Sequence, residues 1–142
     1  MLRVECSNPG EVTMIGVRRT ILIVALFQAI STVVGAFQLL TTPHYYAFLL
    51  DGTVFEGQYV LAAVLLGVVV GGFQWSAVWV HFRSKTWLAA AHAIAGLVML
   101  GWIAGECLVL GVFIWPHALW GGVGALHLFL VTVYLGAFQP RR

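Results

Sequence analysis

Charge is the scarcest property of this chain. Lys, Arg, Asp and Glu together make up 8% of its 142 residues, where a soluble globular domain carries about 25%. With 61% of the residues hydrophobic, that scarcity excludes an ordinary water-soluble fold and points to lipid as the solvent. Cysteine is nearly absent as well. Cys6 and Cys107 form no CxxC pair, which removes the simplest support for thiol redox chemistry or a zinc ribbon. One precedes the first apolar run and the other lies toward the far end of the third, too far apart for an intrachain disulfide. The seven basic residues never gather into a run that would read as a nucleic-acid or polybasic lipid surface. No Ala-x-Ala exit follows the first apolar stretch, whose length of about 20 residues exceeds a signal peptide's roughly 7 to 15. The first helix is therefore expected to be retained. No internal repeat, inverted or parallel, relates the two halves, which weakens a transporter built from duplicated units.

What the chain does have is four long apolar runs, at about 20–40, 57–80, 87–113 and 118–138. Each holds about 20 residues or more, enough at ~1.5 Å per residue to cross a ~30 Å hydrocarbon layer. Arg3, Arg18 and Arg19 precede the first run, Arg83 and Lys85 separate the second from the third, and Arg141 and Arg142 follow the fourth. Cationic loops resist translocation, so these three segments are expected in the cytoplasm. The pattern predicts an all-α, four-transmembrane-helix antiparallel bundle with both termini cytoplasmic, a multi-pass protein of a bacterial inner membrane. It divides into an N-terminal tail over 1–19, a membrane domain over 20–138 and a C-terminal tail over 139–142. Residues 1–13 are polar and unpatterned, and Met14 opens the more typical start for such a first span.

The connection from Thr41 to Glu56 is the long outer loop. It carries His44, Tyr45, Tyr46, Phe48 and Phe55, whose amphipathic rings suit the headgroup layer, and the acids Asp51 and Glu56, read as solvated. It serves as an interfacial lid or as a binding surface. The third and fourth runs are joined by a short turn, Ile114 to His117, which makes them an antiparallel pair in contact. Small residues recur four apart in every run: Ser31 and Gly35, Gly67 and Gly71, Gly101 and Gly105, Ala118 and Gly122. Such pairs let helices approach closely where lipid supplies no hydrophobic drive.

Polar residues within the runs carry most of the remaining information. An acid at mid-span costs about 2.5 to 3.5 kcal/mol, so Glu106 requires a partner. Counting from the turn at Ile114–His117, the fourth run reaches the depth of Glu106 near Ala125. That predicts a hydrogen bond between Glu106 and His127. Gln28, Gln74 and His92 lie at similar depths from the cytoplasmic side and are expected to form an inner polar layer. An outer layer is expected to hold Glu106 and His127, with Thr32 or Gln38 from the first run. His81, beside Arg83, reads as a snorkelling end residue. Trp79, Trp87, Trp115 and Trp120 suit interface anchoring, and Trp75 and Trp102 read as packing residues.

Bis-His haem ligation needs two imidazoles at matching depth. His92 and His127 differ by about 9 Å along the axis at ~1.5 Å per residue. His44 and His117 lie in the outer connections without a third ligand. No metal site or cofactor is expected, and no nucleophile, base and metal constellation marks an enzyme.

A first span ending in Gly-Ala-Phe-Gln-Leu-Leu-Thr-Thr-Pro, a loop rejoining at Phe55-Glu56-Gly57, and the stretch Gly101-Trp102-Ile103-Ala104-Gly105-Glu106 resemble small four-span bacterial membrane proteins of unassigned function. The resemblance implies a fold over residues 20–138 and no activity. The sequence reading is a non-enzymatic accessory or scaffold subunit of a larger inner-membrane complex. Its partners are the bilayer and a membrane protein or further copies of itself. The alternative is a proton-coupled or lipophilic-ligand binding protein using an intramembrane Glu–His pair.

Overall fold

The computed structural model describes residues 9–136, and side chains from residue 14 onward. Arg3 and Cys6 in the N-terminal tail, and the end of the fourth run with Arg141 and Arg142, lie outside the described residues. Four helices are long and apolar enough to cross a membrane: α1 (Pro9–Thr41), α2 (Tyr59–Arg83), α3 (Leu88–Leu110) and α4 (Trp115–Tyr134). No strand occurs among the described residues. Compared with the apolar runs, α1 begins 11 residues earlier than position 20. Its Met14–Thr41 portion alone forms the apolar span.

The boundaries follow from local chemistry. Helix α3 stops at Leu110 because Gly111 adopts a left-handed conformation at φ 65°, which glycine reaches without steric cost. Its N–H closes the helix onto Cys107 O at 3.1 Å. Helix α4 opens with Pro116 in its first turn, where the missing N–H is no loss. Helix α2 contains a π-helical segment, Leu65–Val70. The connection between α1 and α2, expected from sequence to be the outer loop, folds into a 3-10 turn, Pro43–Tyr45, and a single helical turn, Ala47–Leu50.

Each helix packs against its neighbours in sequence, and α1 closes the ring against α4, while α1 and α3 barely touch across the diagonal. Arg18 of α1 reaches His81 O of α2 at 3.2 Å, so the start of α1 and the end of α2 share one end of the bundle. That end, with Arg18, Arg19, Arg83 and Lys85, is the basic end. Each helix buries one narrow stripe: Ile21, Ala25, Gln28 and Thr32 on α1; Val70, Gln74, Ala77 and His81 on α2; Leu88, His92, Met99 and Ile103 on α3; His117, Gly124, His127 and Val131 on α4. The remaining apolar surface faces outward. At most 33% of the most apolar window of any helix is buried inside the bundle, the reverse of a water-soluble domain.

The small residues are used unequally. A Cβ at Gly67 would lie 2.8 Å from Ala36 Cβ, one at Gly71 2.8 Å from Thr32 Oγ1, and one at Gly35 2.9 Å from Leu66 Cδ2. Here α1 and α2 are drawn together beside the π segment. Gly101, Gly105 and Gly122 have open space where a Cβ would go, so they serve no close helix contact among the described residues. Gly71→Leu is therefore expected to destabilise the bundle by about 1–3 kcal/mol. Gly101→Ala should leave it unchanged or more stable by up to ~1 kcal/mol, because glycine disfavours a helix interior. Unfolding of the two purified variants in detergent distinguishes them.

Candidate functional site

The buried stripes carry an unbroken row of hydrogen-bonded side chains through all four helices. His81 Nδ1 on α2 meets His92 Nε2 on α3 at 2.9 Å. His92 Nδ1 meets His127 Nε2 on α4 at 2.9 Å. His127 Nδ1 meets Gln28 Oε1 on α1 at 2.9 Å. Gln28, His92 and His127 are completely buried and His81 nearly so. The rings meet edge-on, with centroids 5.1 Å apart in both imidazole pairs.

The row has a direction. Gln28 Oε1 can only accept, so His127 Nδ1 donates, and a ring with one proton then accepts at Nε2. The same logic passes to His92 and His81, so every Nδ1 donates and every linking Nε2 accepts. His81 Nε2 is left at the open end, with no partner among the described residues. Beside the row, Gln74 Nε2 donates to Ala95 O at 2.9 Å. The buried Gln28 Nε2 and Gln74 Oε1 have no partner among the described residues.

Gln28, Gln74 and His92, grouped from sequence as an inner layer, are all fully buried. Gln28 reaches His92 through His127. The expected Glu106–His127 hydrogen bond is not formed. His127 is engaged by His92 and Gln28, and Glu106 Oε2 lies 3.8 Å from His117 Nε2. The physical reason is register. Helix α4 starts at Trp115, not Ala118, and α3 ends at Leu110, not Phe113. Ile103 therefore faces Gly121 and Leu100 faces Gly124, which puts Glu106 level with Ala118, beside His117. His81 is also no snorkelling end residue but the first ring of the row, 4% exposed. The sequence holds a partial signal for it: His81 lies three residues before and His92 five residues after the short 84–87 connection, so an antiparallel hairpin brings their side chains within reach.

At the opposite end from the arginines, Glu106 lines a cleft of about 240 Å³ between α2, α3 and the outer loop. Leu50 and Phe55 from the loop, Ala62 from α2, and Trp102 and Val109 from α3 form apolar walls; Gly101 and Gly105 leave its floor open. His117 Nδ1 accepts the Ile114 N–H at 3.2 Å, which fixes the ring and leaves Nε2 to carry the proton toward the carboxylate. Trp102 thus borders both the cleft and the core. Val70, Met99 and Ile103, with Leu66, Val98 and Trp120 around them, separate this cleft from the imidazole row by an apolar layer.

The outer loop is organised by its own side chains. Tyr46 donates to Gln38 Oε1 at 2.9 Å, Glu56 Oε2 accepts the Gly52 N–H at 3.0 Å, and the His44 ring packs tilted against Tyr45 with centroids 4.2 Å apart. Asp51 is exposed. Thr32 donates back to Ala29 O at 2.8 Å and joins no outer layer. No group of three metal-ligating side chains converges among the described residues: the imidazoles stand in series, each facing the next. No protein-family model, curated protein or solved structure matches the chain.

Replacing His127 with Leu leaves Gln28 Oε1 and His92 Nδ1 without partners. We expect it to cost about 1–3 kcal/mol, because hydrogen bonds between apolar helices average ~0.6 and orphaned buried groups add to that. The same substitution at both His92 and His127 should cost less than the two single changes added, by at least ~0.5 kcal/mol, since one bond is shared. Additive losses in reversible SDS unfolding would contradict the row.

Proposed function

We propose that this chain is a multi-pass protein of a bacterial inner membrane, with both ends cytoplasmic, that binds a lipophilic ligand in the cleft at its outer end. The outward apolar surface and the gathering of Arg18, Arg19, Arg83 and Lys85 at one end support the membrane placement and orientation. The observation that carries the ligand reading is the pair Gly101 and Gly105. Two glycines in a helix interior weaken the helix by about 0.5–1 kcal/mol each relative to alanine. No packing neighbour among the described residues requires them, and both line the cleft. Their absent side chains make room beside Glu106.

The cleft suits an amphiphile whose apolar body lies against Leu50, Phe55, Trp102 and Val109 and whose polar head reaches Glu106 and His117. Head groups able to donate a hydrogen bond, or cationic ones, complement the carboxylate. The ligand reading is preferred to a proton path across the bundle because Val70, Met99 and Ile103 pack as an apolar cluster between the imidazole row and Glu106. The role is binding, with no catalytic step assigned.

An accessory-subunit reading is favoured by a different feature. Ala118, Gly122 and Ala125 form an exposed strip on α4, and Gly122 has nothing within 4 Å of its Cβ position. A helix of another subunit can approach closely there.

Purification in mild detergent followed by mass spectrometry separates the two. Gly105→Leu fills the cleft and should remove a co-purifying lipophilic species that the wild type and Gly122→Leu retain, while Glu106→Gln lowers its occupancy about tenfold or more, as expected on loss of a charged hydrogen bond. Loss of a co-purifying membrane protein in Gly122→Leu alone, with no small molecule in any sample, would overturn the ligand reading in favour of the accessory one.

A further inference from the structure

A second cleft, of about 220 Å³, opens at the basic end between α1 and α2 and is lined by Ile15, Arg18, Arg19, Leu22, His81 and Phe82. It contains three kinds of group arranged for one kind of molecule. Arg18 is held by its bond to His81 O at 3.2 Å, so its guanidinium is fixed at the cleft while its other N–H groups remain to donate. Arg19 is exposed beside it. His81 brings the open end of the imidazole row, an Nε2 lone pair with no partner among the described residues. Ile15, Leu22 and the 69%-exposed Phe82 provide an apolar wall that continues onto the outer surface of the bundle.

We propose that this cleft is a binding site for an anionic phospholipid with a hydroxylated headgroup, such as a phosphatidylglycerol. The phosphodiester oxygens accept from Arg18 and Arg19, which match a phosphate as planar donors. A headgroup hydroxyl donates to His81 Nε2, the acceptor that the direction of the row dictates. One acyl chain lies along Ile15, Leu22 and Phe82. The two arginines do not form the longer basic run by which sequence alone signals lipid binding. The site arises because α2 delivers His81 and Phe82 opposite them. Its occupancy is reported to the bundle interior, since a donor at His81 Nε2 reinforces the tautomer on which each later bond in the row depends.

The inference rests on the membrane placement proposed above, and not on the outer cleft. The test is native mass spectrometry of the full chain from detergent, with dioleoyl phosphatidylglycerol or dioleoyl phosphatidylcholine added at equal concentration. The wild type should retain phosphatidylglycerol at least about tenfold more tightly. Each of Arg18→Gln and Arg19→Gln should reduce that preference roughly fivefold, the effect expected of one basic residue at a membrane surface. Arg19 is exposed, so Arg19→Gln leaves the fold intact. Gly105→Leu, in the outer cleft, should leave the preference unchanged. Dioleoyl phosphatidic acid, which lacks the headgroup glycerol, should bind more weakly than phosphatidylglycerol in the wild type and equally in His81→Phe. Equal retention of the two dioleoyl lipids by the wild type would overturn the proposal. So would competition by chain-free glycerol phosphate as effective as that of the lipid, or an unchanged preference in Arg19→Gln. A protein released from membranes by alkaline carbonate would instead contradict the membrane placement itself.

Discussion

Four helices with apolar faces on every side have many ways to pair, and burial of oily surface does not choose among them once the surroundings are equally oily. The choice here falls to the imidazole row. Gln28, His127, His92 and His81 sit one on each helix, and each hydrogen bond joins helices that are neighbours in the ring. Arg18 completes the circuit from α1 back to α2. Sliding any helix by one turn, about 5.4 Å, would break two of these contacts and strand buried donors and acceptors. The row therefore fixes register and neighbour order together, and the position of both clefts follows from it.

The two ends of the bundle then acquire different chemistry from one alignment. At the basic end, the row terminates in His81 Nε2 beside Arg18 and Arg19. At the other, the α3–α4 register sets Glu106 beside His117 and leaves Gly101 and Gly105 facing open space. Between them Val70, Met99 and Ile103 form an apolar cluster, with Leu66, Val98, Trp102, Cys107 and Trp120 packed against it. The molecule thus has polar groups at the row and at the far cleft, with an apolar cluster between them.

Much of the architecture was legible from sequence because it depends on run length and apolar content, which are local. The four long helices and their up-and-down order follow from that alone. Gln28, Gln74 and His92 were also recognisable as a buried polar group, since each lies on the inward stripe of its helix at a comparable depth. The pairing of Glu106 was not. Its partner depends on where α3 and α4 begin and end, and a left-handed Gly111 with a helix opening at Trp115 moves the facing residue by most of two turns. His81 was hidden by its nearness to Arg83, a context in which a histidine usually reaches for the interface. Only the nearness of both histidines to the short 84–87 connection, at three and five residues, brings it within reach of His92. The roles of the glycines were legible as a class but not individually, because spacing shows that a backbone can be approached and not that anything approaches it.

Nitrogen-15 NMR of the histidine rings in lipid tests the central claim most directly. The account predicts that His81, His92 and His127 all carry their proton on Nδ1, with through-hydrogen-bond couplings from His81 Nδ1 to His92 Nε2 and from His92 Nδ1 to His127 Nε2. Rings protonated on Nε2 without mutual coupling, and in fast exchange with water, would contradict it.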